Sequence, residues 1–95
     1  MYLIQVNYIK PLDEVDKYLT AHRAFLDKYY ATGNLIFSGS RNPRIGGIIL
    51  CNAKDRDETW MIIHEDPFCI NKIAEYEVIE FKPNKYAKGF EGFVK

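Results

Sequence analysis

Two short segments of this 95-residue chain carry side chains that could do chemistry together. His22 falls within an apolar run formed by Val15, Leu19, Leu26 and Tyr29, with Tyr18, Phe25 and Tyr30 beside it. Spacings of three and four residues put these side chains on one face of a helix. A histidine there is either a core residue with its polar atoms satisfied or an imidazole poised for reaction, and a lone one on an apolar face is more often the former. A neutral imidazole at this position would be available as a general base. The second segment is Asp66-Pro67-Phe68. By itself it reads as a turn that ends a helix, since Asp-Pro commonly starts turns. Together the segments supply the minimum for general acid–base catalysis: an imidazole and a carboxylate to orient it. His22 and Asp66 are the candidate catalytic pair.

A polar substrate needs further groups. Ser38-Gly39-Ser40 ends a strand-like run, and a glycine there marks either a bulge or a place where a ligand approaches the backbone. Arg41 and Arg44 follow in a turn-forming stretch. Either guanidinium could clamp a carboxylate through two hydrogen bonds, or both could be solvated hairpin residues. Ser38, Gly39, Ser40, Arg44 and Phe68 are the candidate substrate-binding residues. Metal ligation has little support: His64, Asp66 and Cys69 are close in sequence, but their spacing matches no zinc pattern. The sequence holds no Walker loop, dinucleotide glycine fingerprint or Gly-x-Ser-x-Gly elbow. No metal or cofactor is expected.

The elements that must position these residues follow from periodicity. Tyr2 to Ile9 is a predicted strand, with Tyr2, Ile4, Val6 and Tyr8 on one face, ended by Lys10-Pro11. A helix is predicted from Leu12 to Ala31, with acidic residues in its first turns and Gly33 as its stop. Leu35 to Ser40 and Gly46 to Cys51 are the second and third strands, the third apolar on both faces as in a strand buried on two sides. Asp55 to Glu65 is the second helix, with Asp55 or Asp57 as its cap. Ala74 to Lys82 is the fourth strand, and a Gly- and Lys-containing tail runs from 83 to 95. The order βαββαβ predicts a ferredoxin-like α+β domain, an antiparallel sheet with two helices on one face. Its two helices run parallel, which offsets mid-helix His22 from Asp66, so the turn at Pro67 must close the gap. The other sheet face lacks helical cover, and a second copy of the chain could supply it.

Length and composition narrow the class. The chain suits one domain, 1–95, with the tail as a possible interface segment. A domain of this size buries only about two-thirds of its unfolded surface, so dimerisation would add stability. Thirteen basic and thirteen acidic residues give a net charge of zero, without the basic footprint of nucleic-acid binding. Lys82, Lys85, Lys88 and Lys95 in the tail are diluted by Gly89, Glu91 and Gly92. The third strand also lacks the aromatic residues with which an RNA-recognition sheet stacks bases. No apolar run is long enough to span a membrane. Cys51 and Cys69 form no Cys-x-x-Cys pair, and with no export signal they read as reduced thiols in the cytoplasm.

The residues His22-Arg23-Ala24-Phe25-Leu26, Gly33, Ser38-Gly39, Gly46-Gly47-Ile48-Ile49, Asp66-Pro67-Phe68 and Phe81-Lys82-Pro83, taken in order, resemble the YciI-like (YCII-related) family of small bacterial proteins. Many members carry Gly-Pro where this chain has Gly39-Ser40. The resemblance implies a ferredoxin-like homodimer of the dimeric α+β-barrel type. It also implies a His–Asp active site, which carries over onto His22 and Asp66. The expected function is acid–base chemistry, lyase- or hydrolase-like, on a small polar or anionic metabolite. The alternative is a non-catalytic small-ligand-binding or regulatory dimer.

Overall fold

The computed structural model describes residues 1–94; Lys95, grouped above with the basic residues of the tail, lies outside the described residues. Strand β1 spans Tyr2–Tyr8, β2 Leu35–Ser40, β3 Gly46–Cys51 and β4 Ala74–Glu80. They form one sheet in the order β2-β3-β1-β4, with every neighbouring pair antiparallel. This is the split βαβ layout of a ferredoxin-like α+β fold. The alternation predicted for β1 is observed: Tyr2, Ile4 and Val6 are buried. Cross-strand register places Ile49, Cys51, Val78 and Tyr76 on that same face.

The helical segments differ from their sequence pattern. Leu12 to Ala31 is not one helix but two, α1 at Leu12–Lys17 and α2 at Leu19–Ala31. Tyr18 joins them with φ −110° and ψ 5°, and its amide bonds back three residues to Val15 rather than four. Residue 18 is neither glycine nor proline, so nothing local signals this tight turn. Helix α3, Arg56–Ile63, begins at Asp55, whose side chain accepts from the Glu58 amide at 2.8 Å. Asp55 is thus the cap, which satisfies one of the amides a helix start leaves unpaired. After α3 the chain forms an extra turn of helix, α4, at Pro67–Ile70. Pro67 stops one helix and starts another, because a fixed φ and a missing N–H suit the first helical position.

Val15, Phe25, Ile62, Ile63 and Phe68 close the core over the inner sheet face. Each such buried side chain contributes about 1.5–3 kcal/mol relative to exposure. Among the described residues, no α-helix covers the outer face. The Phe81 amide extends the β1–β4 ladder by one rung, bonding to the Met1 carbonyl at 3.0 Å; the chain beyond it folds back over the outer face, where Asn52 donates to the Phe93 carbonyl at 3.3 Å. A cavity of about 570 Å³ opens between this segment and the sheet, lined by Leu3, Phe37, Leu50, Ile79, Tyr86 and Phe90. Leu50 on the outer face is buried, which completes the two-sided burial predicted for β3. Among the described residues, no helix is long and apolar enough to cross a membrane.

Candidate active site

His22 lies one turn into α2, on the face turned toward α4. Asp66 sits at the N-cap of α4. The offset between α2 and the α3–α4 corner brings their side chains together, with His22 Nδ1 and Asp66 Oδ1 2.8 Å apart. The imidazole is 14% exposed and the carboxylate 1%. Burying a carboxylate is costly unless its oxygens are paired, and here they are. Oδ1 also accepts from the Phe68 amide at 3.0 Å, and Oδ2 accepts from the Tyr76 hydroxyl at 2.7 Å. The Asp66 carbonyl takes the amides of Cys69 and Ile70. Asp-Pro-Phe is therefore a helix start as well as a carboxylate mount, with the side chain capping the turn it belongs to.

Phe68 fixes the imidazole plane. The two rings stack with centroids 4.1 Å apart and planes 10° from parallel. Tyr8 packs edge-on against Phe68, with ring centroids 5.8 Å apart. With Nδ1 committed to the carboxylate, it carries the proton of the neutral ring and Nε2 carries the lone pair. Nε2 makes no hydrogen bond within the described residues, yet no buried side-chain nitrogen or oxygen among them lacks a partner, so Nε2 reaches open space. That space is a cleft of about 140 Å³. Leu19, His22, Arg23 and Leu26 of α2 form one wall; Ser38, Gly39 and Ser40 of β2 with Gly46 to Ile49 of β3 form the other; Val6, Tyr8 and Phe68 lie at its base.

Burial, reinforced by the Asp66 carboxylate and the hydrogen bond to it, holds the Tyr76 phenol far above the ordinary tyrosine range. Tyr76 is thus a lasting donor to Asp66. Burial and the same carboxylate push the Cys69 thiol up, and burial raises Cys51 to about 11. Neither thiol is activated as a nucleophile, which requires a lowered value.

The structure brings together His22, Asp66, Phe68, Ser38, Gly39 and Ser40. The Ser38 hydroxyl also pairs with Tyr30 at 2.6 Å. It places Arg44 elsewhere, outside the cleft lining and on Asp16 at 2.6 Å. Arg41 bonds Asn7 at 2.6 Å. His64 is the exposed C-cap of α3, and among the described residues no three His, Cys, Asp or Glu side chains gather as metal ligands. Sequence reasoning missed Arg23 and Tyr76. Arg23 adjoins His22 on the same helix, and Tyr76 alternates with Ala74 and Val78 on an inner strand face, where a phenol needs a partner.

Residues 1–82 match the YCII-related domain. The chain belongs to the YCII-related family. Among solved structures, this YCII-related chain is similar to 5-chloro-2-hydroxyhydroquinone dehydrochlorinase (TftG) from Burkholderia phenoliruptrix, in complex with 2,5-dihydroxybenzoquinone. The TM-score is 0.68 at 19% identity, over 86% of this chain and 94% of that one. The likeness shows that the two chains share a fold. No curated protein matches the chain.

Proposed function

We propose that this YCII-related protein is a small-molecule enzyme in which His22, oriented by Asp66, moves a proton to or from a small polar or anionic metabolite. The observation that carries the reading is the 2.8 Å His22–Asp66 pair, whose carboxylate is fully partnered and whose imidazole keeps Nε2 toward the cleft. Asp66 would hold the tautomer and stabilise the imidazolium formed when Nε2 takes a proton, much as a buried carboxylate orients a catalytic histidine elsewhere. If the substrate carries a leaving group next to the deprotonated atom, proton removal and departure complete an elimination, a lyase reaction. If the proton comes from water, the hydroxide so formed attacks an electrophilic carbon, and the leaving group departs with the proton that His22 returns, a hydrolysis. Ser38, Gly39 and Ser40 would position the substrate against the β2–β3 wall. TftG supports the lyase class, since its name states loss of hydrogen chloride and its ligand is a single ring. An apolar cavity of about 150 Å³ accommodates benzene, so a 140 Å³ cleft suits a body of about that size. The protein would work as a homodimer joined through the outer sheet face.

A thermal-shift screen of small polar and anionic compounds, followed by product detection, tests this reading in the wild type, His22→Ala and Asp66→Asn. Asn keeps an oxygen for the amide of Phe68 and for His22 while removing the charge. Both variants should lower turnover by about 10²–10⁴-fold, far more than they lower folding stability, with His22→Ala the less stable because it leaves the buried Asp66 carboxylate one donor short. Altered ligand affinity with no product in any protein would make the chain a binding module. Lost stability with unaltered binding would make the pair structural.

A further inference from the structure

The cleft beside His22 carries one permanently charged side chain, and it is a cation. Arg23 lines the wall, whereas no carboxylate does; Asp66 is buried and its oxygens are occupied. The arginines of the β2–β3 connection lie outside the cleft lining: Arg44 pairs with Asp16, and Arg41 donates to the Asn7 side chain. Arg23 is exposed and makes no ion pair among the described residues. Successive residues of an α-helix point about 100° apart, so Arg23 and His22 meet the cleft from neighbouring directions on one rigid element. The remainder of the lining is uncharged, with Leu19, Leu26, Ile48 and Ile49 beside the hydroxyls of Ser38 and Ser40.

We propose that Arg23 is the anion anchor of this cleft and that its ligand class is the small monocarboxylate with an apolar or single-ring body. The inference deepens the acid–base reading above and rests on it. One guanidinium with no second cation balances one negative charge. Its planar fork of N–H donors matches the two oxygens of a carboxylate, a geometry that a point charge does not select. The uncharged lining suits a body without further charges, and the cleft volume of about 140 Å³ limits that body to about one ring. Held by its carboxylate at Arg23, such a ligand is presented to a group that acts on its uncharged part.

Benzoate and benzamide, alike in shape and different in charge, test the assignment by NMR titration of the full chain, read at the His22 ring protons at fixed pH. Benzoate should shift His22 saturably and bind roughly tenfold or more tightly than benzamide, with an affinity that falls as salt is added. Arg23→Gln should weaken benzoate by about the same factor, weaken benzamide far less and leave the melting temperature unchanged. Arg23→Lys should recover part of the loss, since it keeps the charge without the fork. Equal binding of the two ligands, no His22 shift with benzoate, or full benzoate affinity in Arg23→Gln would each overturn the proposal. Turnover has no part in this readout. A His22→Ala protein that still forms product would sink the acid–base reading and leave the anchor standing, and the converse result is equally separable.

Discussion

Asp66 is the residue on which the site depends. Its two oxygens receive three donors: the imidazole of His22, the amide of Phe68 and the phenol of Tyr76. Tyr76 holds Oδ2 and thereby fixes the carboxylate plane that aims His22. Tyr76→Phe leaves that oxygen buried without a donor, at a cost of about 1–3 kcal/mol, measurable by urea denaturation. The phenol also makes stability pH-dependent. An unfolded tyrosine ionises near about pH 10, whereas the folded Tyr76 phenol stays protonated well above that because burial and Asp66 disfavour its anion. Its contribution is therefore complete below about pH 10 and declines as the pH rises toward the folded value. Tyr76→Phe should show a shallower alkaline decline than the wild type in denaturation series run from neutral to high pH.

Among the described α-helices, α4 is the shortest and does the most to assemble the site. Pro67 begins it, Asp66 caps it, and Lys72 at φ 56° ends it, with the Ile73 amide returning to the Phe68 carbonyl at 2.8 Å. That turn sets Phe68 against the imidazole. Across the cleft, the β1–β3 pairing is equally exacting. A side-chain carbon on Gly46 would lie 1.8 Å from the Val6 carbonyl oxygen, so this position admits no larger residue without parting the strands. Gly46→Ala should cost about 3 kcal/mol or more, at or beyond the upper end of overpacking. Gly39→Ala is the matched control in the neighbouring strand, with nothing within 4 Å of the added carbon. It should melt within about 0.5 kcal/mol of the wild type. Equal stability of the two variants in chemical denaturation would refute the close-approach argument.

At the scale of the whole molecule, the two sheet faces are finished differently. Helices seal the inner face, while only the chain after β4 crosses the outer one. Phe37 and Ile79 there remain 49% exposed, beside the cavity that holds Leu3 and Leu50. A chain this short gains proportionally more from burying such surface than a larger one does. The proposed homodimer places this face at the subunit interface. Sedimentation at micromolar concentration should give a dimer for the wild type and a folded monomer for Ile79→Glu, since a carboxylate would be desolvated without a partner in that contact. A wild-type monomer that stays soluble under the same conditions would remove the dimer from the functional picture.

The ferredoxin-like order and the β2 and β3 boundaries could be read from the chain, because strand alternation and turn residues are local; the family was legible as a resemblance carried by short motifs in order. The inner face of β1 was legible for the same reason: a side-chain period of two is written in consecutive residues. The helical interruption at Tyr18 was not, since no glycine or proline marks it and the apolar stripe continues through the turn. Asp55 as the cap could be proposed but not separated from Asp57 until the Glu58 amide was seen to reach it. His22 and Asp66 were both singled out, yet they lie 44 residues apart, and their contact depends on how far α2 is displaced along the α3–α4 corner. Local periodicity says which face of a helix is buried but not which residue of another element it meets. Arg23, Arg44 and Tyr76 show the same limit. Each has a chemistry evident from its type, but whether it faces the cleft, Asp16 or Asp66 is decided by the offset and register of packed elements, which exist only once the chain has folded.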